Sequence, residues 1–423
     1  MDENKLTLTP NGAVPAVRQD ETEFYKQVAD LLSAARKYAK KQLDSTIVVT
    51  YYEIGRMIVE REQQGQKRAQ YGAKLIKGLS EYLTAQYGKG FSVPNLRNIR
   101  QFFLVYSPSI KRYTLSSVSG DSNGMGKGYS LISIFDAEAQ KQQSLPAKSD
   151  AMEKGYTLSS LFDQNPKGQL LSDLFNLGWS HYQILMRIEN EAARRFYEIE
   201  ATSQQWSVRQ LQRQVGSSLY ERLALSRDKD KVMALANEGQ VIENPRDIFK
   251  TPYVFEFTGL EERSQYSETE LEKALIDNMQ MFLLELGKGF LFEARQKRFS
   301  FDEDSFFVDL VFYNRLLQCY VIIDLKVGKL KHQDLGQMQM YVNYFDRYVK
   351  RDFEKPTIGI LICEDKKDKI VELTLPENSN IYASEYSLYL PDKTLLQSKL
   401  AQWIEEFEEA RKLRGIANGN DAE

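Results

Sequence analysis

The runs FFVDLVFY (306–313) and QCYVIIDL (318–325) are dense in β-branched and aromatic residues, and only NRLL separates them. A link that short permits an antiparallel neighbour, because a parallel return needs a crossover of about a dozen residues or more. The two strands therefore share a sheet, and each carries an aspartate among apolar neighbours. In the second, alternation puts Asp324 and Lys326 on one face and Leu325 on the other. A charge at the inner end of a buried strand is costly unless paired, so Asp309, Asp324 and Lys326 require a partner.

Two partners suit them. Two carboxylates and a backbone carbonyl, that of Leu325, are hard oxygen ligands of the kind Mg²⁺ or Mn²⁺ takes, with positions left for water and a phosphate oxygen. The lysine would then stabilise charge building on a phosphoryl group. The other reading is a cross-strand salt bridge at the sheet's edge, which a D-x-K pattern with an upstream Asp does not exclude.

Around these strands the pattern is α-β-β-β-α-β. YSETELEKALIDNMQMFLLELG opens with Ser267 and Glu270 at capping-box spacing and stops at Gly287, which predicts one helix. Strands follow near 290–300, 305–313 and 318–325, then a helix over about 333–350 and strands near 357–363 and 381–389. This order describes an α/β domain at 251–395 with a mixed central sheet and helices packed on it.

Upstream the periodicity is helical. Residues 1–20 read as a flexible arm and 21–236 as a mostly α-helical region. That region is interrupted at about 107–165 by a low-complexity insertion rich in Ser, Gly, Lys and Gln. Ser92, Ser180 and Ser207 stand where helix N-caps are expected, and NEGQVIENPRD within 237–250 reads as a linker. Residues 396–423 are expected to be a C-terminal helix and an acidic tail. The chain of 423 residues is thus expected to be multidomain.

Composition narrows the chemistry. Cys319 and Cys363 are the only cysteines, and His181 and His332 the only histidines. A zinc site, a redox pair or a Ser-His-Asp triad lacks its parts, and any metal would be held by oxygen. The net charge of −3 argues against a globally basic nucleic-acid binder and leaves local basic patches open. No segment reaches the roughly 18 apolar residues of a membrane helix, so no membrane partner is expected and the cytoplasm is the expected location.

The motifs LEKALIDNM, DLVFYNRLLQCYVIIDLKVGKL, GQMQMYVNYFD, PTIGILIC and ASEY resemble the nuclease domain of the YhcG-like family, a branch of the PD-(D/E)XK superfamily. Upstream, YYEIGRMIVERE, YGAKLIKGLSEYL, GFSVPNLRNIRQFF, LGWSHYQIL, RRFYEIEA and QWSVRQLQRQVGSSLYERL resemble the N-terminal domain that accompanies it. The resemblance implies a restriction-endonuclease-like fold preceded by a targeting domain with a winged-helix-like character. It implies Asp309 and Asp324 as the two metal-binding acids, Lys326 as the lysine, and Glu272 as a helical acid reaching the metal directly or through water. Gln337 and Tyr341 match a Q-x-x-x-Y element, one turn apart on a helix. Two departures stand out: Asp324 replaces the family's usual Glu, and Asn314 stands where His is common.

The activity implied is metal-dependent hydrolysis of DNA phosphodiester bonds, in defence against foreign DNA or in recombination and repair. The alternative is a nuclease-fold DNA-binding or scaffold protein whose catalysis has lapsed. A homo-oligomer is left open. Arg97 and Arg100 in NLRNIRQFF, and Arg209 and Arg213 in SVRQLQRQV, lie off the apolar stripes of their helices and are candidates for phosphate contact, against the plainer reading of solvated helix surface.

Overall fold

The computed structural model describes residues 19–64, 69–119, 175–225, 229–261, 266–301, 303–366, 368–376, 379–402 and 405. The chain divides into two compact units, Met1–Trp179 and Ser180–Glu423.

The first unit is built from α1 (Gln19–Gln64), α2 (Ala69–Tyr87) and α3 (Val93–Ser119). Ser92 accepts from the Asn95 amide at the start of α3 and Pro94 occupies its first turn, as expected. Ile58, Ile76, Leu96 and Ile99 form one core cluster, and Phe102 packs against Phe175 and Trp179. Gly55 lets α1 and α3 approach, because a Cβ there would lie 2.9 Å from the Cβ of Phe103. Residues 23–43 of α1 are exposed, so the core of this unit rests on the helix's second half. The expected arm at 1–20 falls almost wholly outside the described residues. The insertion expected at 107–165 lies outside them from 120 onward, and its first part instead continues α3 to Ser119.

The second unit begins with α4 (Trp179–Leu185, the first residue belonging to the other unit), α5 (Glu191–Ser203), α6 (Val208–Gly216), α7 (Leu219–Leu225) and α8 (Lys229–Glu238). Ser207 and Gln210 close a capping box on α6, whereas Ser180 lies inside α4 rather than at its cap. No strand occurs among the described residues before Tyr253, so the hairpin that a winged helix needs is not found there.

A six-stranded mixed sheet follows, in the order β1-β6-β5-β4-β3-β2. Its strands are β1 (Tyr253–Val254), β2 (Phe290–Phe301), β3 (Asp304–Asn314), β4 (Cys319–Lys329), β5 (Ile358–Asp365) and β6 (Ile381–Ser387). β2, β3 and β4 form an antiparallel meander, and β4, β5, β6 and β1 run parallel. The helix expected at 267–287 is two: α9 (Glu268–Asp277), with its Ser267–Glu270 capping box in place, and α10 (Met279–Leu286). Both pack on one face of the sheet against Leu310, Phe312, Val321, Ile323 and Leu325. On the other face lies α11 (His332–Tyr344), which continues as a π turn at Phe345–Val349 and packs on Val308, Val311, Ile322 and Leu361. α12 (Asp368–Thr374) joins β5 to β6. Gly359 on β5 sets the spacing beneath α11: a Cβ there would sit 2.7 Å from Met338 Sδ and 3.0 Å from Val342 Cγ2.

The stretch expected as a linker is packed instead. Gln240 and Asp247 are buried and bonded to each other, and Lys250 is buried beside Glu285. Glu285 on α10 explains the packing. Arg222 on α7 reaches its Oε1 at 2.6 Å and Arg213 on α6 its Oε2 at 3.0 Å, the Val254 amide donates to Oε1, and the Lys250 ammonium meets its backbone carbonyl. A carboxylate that is fully buried is tolerated because every oxygen is paired.

Candidate active site

β4 is buried between β3 and β5, and its apolar run fixes which side chains can face a helix. Ile323 and Leu325 belong to the α9–α10 face, so Asp324 and Lys326 project towards α11. The last β3–β4 pair before the strands separate is Leu310 with Ile323, and the next residues along each strand are Asp309 and Asp324. The short link thus brings the two acids together, as the sequence implies.

Lys326 Nζ lies 2.8 Å from Asp324 Oδ2, a charge-assisted contact within one strand. Asp309 Oδ2 accepts from the Leu325 amide at 2.9 Å, which ties β3 to β4 at the acids. Asp324 is only 3% exposed. Burial, reinforced by Asp309, pushes its carboxyl up to about 7 against the pull of Lys326. Burial opposes the charge on Lys326, but Asp324, Glu268 and Asp309 outweigh it and hold the ammonium above the usual lysine range. Glu268, at the start of α9, stands 3.8 Å from Lys326 Nζ and accepts from the Val327 amide.

Gln337 and Tyr341 are one turn apart, as their spacing implies, and Gln337 Nε2 donates to Tyr341 Oη at 2.5 Å. Tyr341 is buried and donates to the Phe307 carbonyl at 2.9 Å, anchoring α11 to β3 two residues before Asp309. Burial, then the nearby Asp324 charge, pushes its phenol up to about 12, so it stays a donor. Asn314 has a structural role: its Oδ1 accepts from the Leu316 and Leu317 amides and its Nδ2 donates to the Lys288 carbonyl, holding the β3–β4 turn.

Glu272 on α9 joins the cluster only through a residue that the sequence does not single out. Its Oε1 is held by Arg295 and its Oε2 by Gln296 Nε2 at 2.7 Å. The same Gln296 nitrogen donates to Asp309 Oδ1 at 2.9 Å. Gln296 has a φ of 45° inside β2, a left-handed conformation that costs energy for a side-chain-bearing residue. Nothing in EARQKRFSF signals it. Among the described residues no three carboxylate, imidazole or thiol groups converge on one point.

The arginines fare differently. Arg97 and Arg209 are exposed, and Arg100 is half-buried and paired with Glu62 at 2.7 Å. Arg213, expected on a free helix face, is a correction. Its side chain is 7% exposed and is held by Glu256 and Glu285 and by the Val254 carbonyl. A guanidinium so paired is not available to a phosphate.

The YhcG PDDEXK nuclease domain family matches residues 246–401, and the DUF1016 N-terminal domain family matches residues 27–119 and 148–222. "Putative nuclease YhcG" of Escherichia coli (strain K12) is 36% identical over 404 residues, covering 94% of this chain and 100% of that protein. The chain belongs to the YhcG family. Among solved structures, this YhcG family member is similar to a repair endonuclease from Pyrococcus abyssi at 19% identity, with a TM-score of 0.21, over 31% of this chain and 50% of that one. It is also similar to the protein in an EndoMS–dsDNA complex at 16% identity, with a TM-score of 0.22, over 32% of this chain and 51% of that one. It therefore spans about half of each of those proteins, too little for either to bear on function.

Proposed function

We propose that this YhcG family member is a metal-dependent endonuclease hydrolysing DNA phosphodiester bonds at Asp309, Asp324 and Lys326. The observation that carries this reading is the grouping of a buried Asp324 with a second carboxylate, Asp309, and with Lys326 Nζ 2.8 Å from Asp324 Oδ2. A buried carboxyl pushed up to about 7 favours a cation partner, and two carboxylates with the Leu325 carbonyl suit a hard ion such as Mg²⁺ or Mn²⁺. When bound, such an ion polarises the phosphoryl group and acidifies the attacking water.

The chain's own residues do the rest. Lys326, held protonated, offers its N–H groups to a non-bridging phosphate oxygen as charge builds there. Glu272 acts through Gln296, which orients Asp309. Tyr341, fixed by Gln337 and the Phe307 carbonyl, holds α11 against β3 and so sets the depth of the site. Exposed Arg97 and Arg209 are available for phosphate contacts.

Cleavage should require Mg²⁺ or Mn²⁺ and stop with EDTA. Asp309→Asn and Asp324→Asn should each lose Mn²⁺ binding in calorimetry as well as cleavage. Lys326→Ala should keep or strengthen Mn²⁺ binding while its rate falls on the order of 10² to 10³. A Lys326→Ala protein that cuts normally would reduce the cluster to a structural ion pair and leave a nuclease fold without catalysis.

A further inference from the structure

Beside the candidate site, on the same face of the sheet, the tip of the β2–β3 hairpin and α11 enclose a groove of about 350 Å³. Its walls are ring faces. Phe299 stacks on Tyr344 with centroids 3.9 Å apart and planes 15° from parallel, and Tyr344 leads on to Tyr348 at 5.5 Å. At the inner end Phe299 meets Tyr341 edge to face at 5.7 Å, so the row of rings begins at a residue of the candidate site and runs outward.

The outer rings do not serve a core: Phe301 is 55% and Tyr348 64% exposed. Single exposed aromatics are ordinary, but two lining one groove together with a stacked pair offer ring faces to a flat ligand. The groove also carries polar groups that an apolar partner would waste. Gln339 and Asn343 bring amides that bond to each other at 3.2 Å, and Arg347 adds a guanidinium with no carboxylate within ion-pair distance among the described residues.

Flat apolar walls, exchangeable amide donors and acceptors, and a cation without an ion pair among the described residues match one kind of ligand. We propose that this groove binds an unpaired nucleobase of the DNA strand being cut, with the base against Phe301 and Tyr348 and a neighbouring phosphate on Arg347. The base of a paired nucleotide has both faces stacked and its edge occupied, so the groove selects strands with a flap, bulge, mismatch or single-stranded end. The inference rests on the nuclease reading for the word "cut", and not for the binding of the base.

Binding and cleavage are therefore measured separately. Binding is followed in EDTA on the full-length protein, using a duplex with a bulged 2-aminopurine and the same duplex fully paired. The bulged probe should lose fluorescence on binding, as a base does when it stacks on a ring. Phe301→Ala and Tyr348→Ala should each weaken binding to it by about 5- to 160-fold, the range for loss of one base–aromatic stack. Affinity for the paired duplex should change less than twofold, and Tyr348→Trp should retain the preference. Phe353→Ala, removing an exposed ring outside the groove, should change neither affinity.

Equal losses on both probes, no loss on the bulged probe, or an unquenched fluorophore would each overturn the groove assignment. If the wild-type protein binds the bulged base through these rings but never cleaves with Mg²⁺ or Mn²⁺, the nuclease reading fails and the groove stands. Cleavage that ignores both Phe301→Ala and Tyr348→Ala on bulged and paired DNA alike fails the groove and leaves the nuclease reading intact.

Discussion

Asp309, Asp324 and Lys326 were legible as a cluster because charged residues inside apolar strand runs need a partner, and a four-residue link leaves few ways to fold those runs. Gln296 was not legible, because its role depends on a left-handed φ in mid-strand and on partners 13 and 24 positions away. Arg213 misled for a related reason: helical periodicity shows which face a side chain leaves from, but not that acids far along the chain close over that face. The Gln296 bridge can be tested on its own. Gln296→Leu should still bind Mn²⁺, since both aspartates remain, while cleavage falls on the order of 10² because Asp309 loses its orientation. Gln296→Gly relieves the backbone strain without restoring the amide. It should therefore recover stability in urea denaturation but not rate, and a glycine variant that cuts normally would show that only the backbone bend matters.

Elements were more legible than their ends. The order of helices and strands followed from period 3.6 giving way to period 2, and the capping box at Ser267 formed as spaced. The break at Asn278 and the two-residue β1 left no signal that local pattern could carry. Through the Glu285 carboxylate, α10 is tied to Arg222 and Arg213 on α7 and α6. Burial alone would raise this acid, but Arg222, Lys250 and Arg213 outweigh it and hold the carboxyl down at about 2, against 4.5 ordinarily. Its contribution is then fully present above about pH 4.5 and is lost as pH falls through about 2, because the unfolded chain takes up the proton first. Glu285→Gln should cost about 3–5 kcal/mol near neutral pH, where it strands buried cations, and progressively less as the pH falls towards 2. Urea denaturation at a series of pH values checks this, and a mutational cost that stays constant down to pH 2 would contradict it.

For the whole molecule, the sequence pointed to a helical region followed by an α/β nuclease domain, and that succession holds. The polar stretch at 237–250 resembled a linker because its composition is that of a loop, and composition is silent on whether a loop is packed. The compact unit that contains the sheet starts at Ser180. A protein of residues 180–402 should therefore unfold cooperatively, whereas residues 246–401, without Arg213 and Arg222, should be poorly soluble or lack a sharp transition. Thermal melts of the two would decide it, and equal midpoints would make the ion cluster dispensable. The two family matches meet between residues 222 and 246, with both arginines on one side and Glu285 and Lys250 on the other. Gene recombination at that seam would join arginines from one ancestor to a buried acid from another, so the two halves are expected to be inherited as a pair and to diverge in step, rather than being traded as independent modules.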